Sequence, residues 1–333
     1  VMLVVVANII NIGADIAAVG AALNLLFPAP ILLLSTIFTI IVLFLEIAIG
    51  YHAYAKFLKF LALSLLAYVF TAIIVHPNWN EVFRALVVPQ ITWEANYWYV
   101  IVALLGTTIS PYMFFWQAAE EVEESRYAEK TGSAQRDLGM IRRDTSIGMT
   151  ASQLASLFMI VTTAVVLHEN GVTSIGTAAD AAKALEPLVQ GFPDAGLYAK
   201  IIFAIGIIGM GLLGIPVLAG SVAYAVSDVR DWPEGLDYKF FQARNFYLVI
   251  ILATLAGWAM NAVGIDPIKS LVFAAVINGL VSIPLIFLLM KISRNESVLG
   301  EKVGGRLSRT MLAATFVVTS IAGAILLISM LRA

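Results

Sequence analysis

Cysteine is absent from the sequence, which excludes disulfides, thiolate metal sites and cysteine nucleophiles but leaves the compartment open. Histidine is scarce. His52, His76 and His168 all fall near the ends of apolar segments, a pattern that argues against a buried histidine metal cluster. Charge is scarce too: only 13% of the 333 residues are charged, against roughly 25% in soluble domains. The net charge of −2 gives no electrostatic footprint for nucleic acid. No phosphate-cradling Gly-Lys loop, HExxH or Gly-x-Ser-x-Gly occurs, so no enzyme signature stands out. What fills the sequence is apolar. Hydrophobic residues make up 60%, and the mean hydropathy is +0.91. This is the composition of an all-α integral membrane protein, one transmembrane domain over residues 1–333 embedded in a lipid bilayer.

Crossing roughly 30 Å of hydrocarbon takes about 20 apolar residues in a helix. Nine segments qualify: 1–27, 31–50, 57–75, 98–117, 147–168, 200–226, 244–263, 267–291 and 309–331. The first is too long and too polar for a signal peptide; it carries Asn8, Asn11 and Asp15 and is read as a membrane helix. Of the 20 Lys and Arg, only Arg84, Lys183, Lys200, Lys269 and Arg332 fall on the side opposite the start of the first segment. Lys and Arg collect on the cytoplasmic side, so the first segment starts inside and the last ends outside. A charged cytoplasmic loop is expected at 118–146. A short amphipathic surface helix is expected in the outer loop 169–199, with Ala178, Ala182 and Leu185 on its apolar stripe.

The chemistry concentrates at GTTISPYMFFWQ, residues 106–117, inside an apolar stretch. Pro111 offers no backbone N–H and crowds the carbonyl four residues earlier. Backbone groups freed within hydrocarbon persist only where protein, water or a ligand satisfies them. A span broken there is a candidate ion or substrate site. Thr107 and Ser110 share a helix face, and with freed carbonyls they form a set of hard oxygens suited to Mg²⁺, Ca²⁺ or Mn²⁺. The alternative is a plain proline kink whose hydroxyls bond back to the preceding turn.

In the first segment Asn8, Asn11, Asp15, Ala18 and Ala22 share one helix face. A carboxylate at mid-membrane must face protein or water, so Asp15 is expected to point inward, in an ion path or in a structural hydrogen bond. Glu120, Glu121, Glu123 and Glu124 follow the broken segment, and Gln117, Glu121 and Glu124 continue one face. They form either a cation-gathering mouth or an ordinary solvated helix end, the latter at least as well suited to Glu123 and Glu124. Glu46 is expected to pair with an inner basic residue, and Thr150 to bond between helices. Gln153 and Asn278 fit either an interhelical bond or a place on the ion path. Glycines 206, 209, 211, 214 and 220 suggest close packing or a hinge.

These residues resemble a known family. GTTISPYMFFWQAAEEVEE (106–124), NIINIGADIAAVGAALNLL (8–26) and GLLGIPVLAGSVAYAVSDV (211–229) look like the Nramp family of divalent-metal transporters, most of all its branch of Nramp-related magnesium transporters. The likeness runs over essentially the whole chain. It implies a LeuT-like bundle of two inverted five-helix repeats. Residues 1–75 would be the remainder of the first repeat, 98–291 the second, and 309–331 an additional helix. The family's first two helices, one with an Asp-Pro motif that ligates the ion, have no counterpart in this sequence. Asp266-Pro267 sits in an outer turn and is not that motif. Under the resemblance Thr107 stands at the family's Ala position, Ser110 at its Met and Tyr112 at its His. Asp15 matches an acidic position, and Ala18 stands where proton-coupled members have Glu.

Replacing Met by Ser removes a soft ligand that disfavours Mg²⁺, and a roomier hydroxyl-lined pocket suits an ion that keeps its water. Losing His removes a group that titrates near neutral pH. The expectation is alternating-access transport of Mg²⁺, with Mn²⁺ as a second candidate substrate, without proton coupling and with no cofactor. Thr107 and Ser110 would sit at the ion, with Asp15, Asn11, Tyr112, Gln117, Glu121 and Asn278 along its path, in a multi-pass protein of a bacterial plasma membrane. An amino-acid or amine transporter of the same fold, and a non-transporting fragment lacking half of the ion site, are the competing expectations.

Overall fold

The computed structural model of the protein describes residues 1–48, 63–131, 138–236, 238–264 and 266–332. Among them eight helical spans are long and apolar enough to cross a bilayer. They are built from α1 (Met2–Asn24), α2 (Ile31–Ala48), α5 (Ala95–Ile109) with α6 (Tyr112–Thr131), α7 (Leu138–Thr163), α9 (Ala195–Arg230), α10 (Arg244–Ala262), α11 (Pro267–Ile292) and α12 (Arg306–Arg332). Between them lie α3 (Leu66–Val75), α4 (Trp79–Val87) and the short α8 (Ala178–Ala182). The expected third segment, 57–75, is described only from Leu63 onward, and residues 49–62, with His52, Lys56 and Lys59, lie outside the described residues.

One expectation is corrected and another refined. The charged loop at 118–146 is mostly helix: α6 runs to Thr131 and α7 begins at Leu138. Its Ala- and Glu-rich sequence favours helix over loop, and 132–137 lie outside the described residues. The segment 169–199 does hold a short helix with the expected apolar stripe turned inward, but it is α-helical only at Ala178–Ala182. Thr177 and Asp180 close a capping box over α8, the chain tightens into a 3-10 helix at Lys183–Val189 through Pro187, and Ala178, Ala182 and Leu185 are buried. Hydrogen bonds from Lys183 and Thr177 hold the Asp180 carboxyl below its ordinary range.

Helix α1 is the most buried span. It packs against α2, α9, α10 and α11. Lipid tails are as apolar as leucine, so association rests on close packing and interhelical hydrogen bonds. The buried face of α1 accordingly consists largely of Ala and Gly, with Ile12, Ile16 and Val19 set against Phe38, Val42, Ile215 and Leu218. Side-chain N–H donors tie the bundle crosswise. Asn8 donates to the Leu218 carbonyl at 3.2 Å, Asn261 to the Gly13 carbonyl at 3.1 Å, and Trp258 to Thr36 Oγ1 at 3.0 Å. Helix α9 runs unbroken through Pro216, and its glycines serve close approach: Gly211 meets Val19 and Phe38, and Gly220 lies under the Trp116 ring.

Candidate functional site

The membrane span opens at Ser110. Helix α5 ends at Ile109, Ser110 takes a left-handed conformation at φ 44°, and α6 starts at Tyr112. A left-handed residue commonly ends a helix, but the position belongs by preference to glycine or asparagine. Serine earns its place through its hydroxyl. Pro111 cannot offer an N–H to the Thr107 carbonyl, and Ser110 Oγ donates to that carbonyl instead, at 2.7 Å. The Ser110 amide closes on the Gly106 carbonyl at 3.1 Å. Thr107 and Thr108 hydroxyls both donate to the Leu104 carbonyl, at 2.9 and 2.7 Å. The back-bonding expected of a plain kink is therefore present, yet the helix truly breaks. A hydroxyl that donates backwards keeps its lone pairs as acceptors. Among the described residues no hydrogen bond reaches the carbonyls of Thr108 and Ile109.

Around this break the fold gathers some of the expected residues and separates others. The Tyr112 side chain interacts with Ser110 and lies in the field of the Asp15 carboxylate. Asp15 is half-buried, with one oxygen facing Gly214 of α9 where a side chain would otherwise stand. Ser110, Tyr112 and Asp15 thus lie near one another, while Thr107, a turn back on α5, is exposed. Asn11 and Asn278 face each other and exchange two amide bonds, at 2.8 and 3.0 Å, tying α1 to α11. Gln117 and Glu121 lie further along α6, about 9 and 15 Å from Pro111 at 1.5 Å per residue. They bond to each other at 2.9 Å.

The close fit of α5 on α11 holds the N-terminal half of the broken span. A Cβ at Gly106 would overlap the Ala275 carbonyl and the Gly279 amide, and one at Gly279 would overlap the Val102 carbonyl.

Comparison with known sequences fixes the family. A profile described as "Natural resistance-associated macrophage protein-like" matches residues 1–329. The chain belongs to the Nramp family. This is a family of multi-pass integral membrane transporters, not of enzymes. Two curated Nramp relatives are both named "Divalent metal cation transporter MntH". The one from Caldanaerobacter subterraneus subsp. tengcongensis is 26% identical over 259 residues, which cover 76% of this chain and 56% of the relative. The one from Ralstonia nicotianae is 25% identical over 322 residues, 93% of this chain and 69% of the relative. The Nramp chain thus spans little more than half the length of the first relative and about two thirds of the second.

Two polar residues of this Nramp chain depart from expectation, and the expected partners of a third lie outside the described residues. Glu123 is not a solvated helix end but is buried, where it accepts from the Tyr224 hydroxyl and the Leu236 amide. The reason is the loop after α9, which folds back over α6; the Trp232-Pro-Glu-Gly turn was the only hint of it in the sequence. Thr150 does not bond between helices but donates to Ser146 in its own helix, at 2.7 Å. Glu46 is buried, with Oε2 unpartnered among the described residues, and the inner lysines nearest in sequence lie outside them. Gln153 is exposed on α7 and makes no part of the site.

Proposed function

We propose that this Nramp chain carries divalent metal cations across the membrane, with Mg²⁺ as the main substrate and Mn²⁺ as a second. The supporting observation is the break itself: a left-handed serine between two half-helices, with free carbonyls and hydroxyl lone pairs beside a half-buried carboxylate. These are hard oxygen ligands, which favour Mg²⁺ and Mn²⁺ over softer ions. Thr107 and Ser110 contribute the hydroxyls at the ion. Asp15 and Tyr112 adjust the charge beside it, and the Asn11–Asn278 pair borders the path on the α11 side. Mg²⁺ keeps several waters, and a site built of small hydroxyls leaves room for them. The names of the two MntH relatives point to the same class of cargo.

Transport runs down the ion gradient without protons. Position 112 holds tyrosine and position 18 alanine, so neither supplies a group that titrates near neutral pH.

Proteoliposomes holding the protein test this reading. Mg²⁺ uptake is expected without acidification of the lumen. Ser110→Met, which brings a thioether to the break, should move the Mg²⁺ to Mn²⁺ preference toward Mn²⁺ by about tenfold. An unchanged preference would overturn the ligand assignment, and lumen acidification would overturn uncoupled transport.

A further inference from the structure

Between α3 and α5 lies α4 (Trp79–Val87), nine residues of which none is buried. Helices shorter than about 12–15 residues are marginal in water by themselves, so α4 needs a partner for its side chains. At about 3.6 residues per turn, Trp79, Val82, Phe83 and Leu86 fall on one face, and Asn80, Glu81 and Arg84 on the other. The division is that of an amphipathic helix, yet Phe83 and Leu86 are 61% and 57% exposed. Local bonds define its ends. Asn78 donates to Glu81 in the first turn at 2.8 Å. The Val88 amide closes the last turn on the Arg84 carbonyl at 2.8 Å, and Pro89 cannot continue the helix.

The fold keeps this apolar face beside the bilayer. Helix α3 ends at Val75, and His76 turns the chain at a left-handed φ of 46°. Only residues 76–78 separate α3 from α4, a reach of about 10 Å at most. Trp79 packs edge-on against Phe158 of the α7 span, with centroids 6.1 Å apart. Beyond the far end of α4, Trp93 lies against Trp98 of α5, again with 6.1 Å between centroids. Indoles collect where hydrocarbon meets water. The flanking helices expose apolar side chains as well: Ile73 and Ile74 on α3, Val100 and Leu104 on α5. The chain therefore enters and leaves α4 from surfaces that meet lipid.

We propose that α4 is an interfacial anchor. It lies along the membrane surface with Trp79, Phe83 and Leu86 sunk to the boundary between headgroups and acyl chains, and with Asn80, Glu81 and Arg84 in water. The occupant of its exposed face is phospholipid, held by buried apolar area. Charge plays no part, because the polar face balances one acid with one base, unlike the basic clusters that select anionic lipid. The anchor rests on the membrane reading of the chain and not on which ion is carried.

The absence of cysteine allows single spin labels. Phe83→Cys and Leu86→Cys probe the apolar face, Glu81→Cys and Arg84→Cys the polar face. Each labelled protein is placed in phosphatidylcholine vesicles, with oxygen and a water-soluble nickel chelate as competing relaxers. Oxygen should dominate at 83 and 86, placing these labels about 5–10 Å below the phosphates, and nickel should dominate at 81 and 84. Added phosphatidylglycerol should leave the depths unchanged. Trp79→Ser with Phe83→Ser should bring the label at 86 out to nickel, whereas Glu81→Gln with Arg84→Gln should not move it. Nickel access at all four positions would overturn the anchor, since α4 would then stand in water. Protection of 83 and 86 from both relaxers would overturn it too, because a second copy or another segment would then cover the face. A depth that requires phosphatidylglycerol, or that survives the serine pair, would overturn apolar area as its cause.

Discussion

Ser110 is where the residue scale decides most. One side chain ends a helix, replaces the amide that Pro111 lacks, and leaves oxygen lone pairs at the break. The residue types at the break were readable in the sequence, because Pro111 and its polar neighbours interrupt an otherwise apolar span. The left-handed turn was not, because serine carries no preference for it as glycine does. Burial of individual acids was equally hidden. Glu123 and Glu124 look alike in sequence, and only the returning loop distinguishes them. The tightest residue-level constraint is Gly106, whose hydrogen faces the Ala275 carbonyl. Gly106→Ala should destabilise the protein by about 1–3 kcal/mol, since backbone must shift to admit the methyl. Gly148 lies on α7 with nothing within 4 Å of a built Cβ, and Gly148→Ala should stabilise by up to about 1 kcal/mol through helix propensity. Thermal unfolding in detergent compares the two; a Gly106→Ala protein as stable as the parent would refute the packing argument.

At the scale of elements, the spans could be located from hydropathy because the bilayer demands length and apolarity of each one separately. Which face of a helix meets which neighbour could not. The stripe Asn8, Asn11 and Asp15 reads as a single face, yet its members serve different partners. Asn8 reaches Leu218 and Asp15 faces Gly214 on α9, whereas Asn11 reaches Asn278 on α11. A helix at the centre of a bundle divides its polar residues among the helices around it. The Asn11–Asn278 exchange is the one described side-chain pair that joins α1 to α11 through both amides. Asn11→Leu leaves the Asn278 amide unpaired beside hydrocarbon, and Asn278→Leu does the converse. The double variant should recover part of the loss. Interhelical bonds in membranes average about 0.6 kcal/mol and reach about 1.7, so a two-bond pair should couple by about 1 kcal/mol in a double-mutant cycle. Additive single effects would mean that the amides act independently.

For the molecule as a whole, the bundle divides at the break. One body comprises α1, α2, α6, α9 and α10, knit by the cluster around Ile16, Trp116, Tyr224 and Phe246. The other comprises α5, α11 and α12, knit by Trp98, Val102, Val276 and Leu326. Helix α1 touches both, through the close approach of Gly13 to Gly257 in the first and the asparagine pair in the second. An ion bound at Ser110 would lie where the two clusters meet, so motion there could change access without unpacking either cluster. The orientation of the molecule decides which half of the broken span faces which side of the membrane, whatever gradient drives the ion. The Lys and Arg asymmetry predicts that the loop 293–305 lies in the cytoplasm and the loop 169–177 outside. In the cysteine-free chain, Ser174→Cys should react with a membrane-impermeant maleimide in intact cells, and Glu301→Cys only after permeabilisation; both positions are exposed. The reverse pattern would invert the molecule and make the cavity of about 490 Å³ between α6 and α11 an outer vestibule, turning the proposed path of the ion end for end.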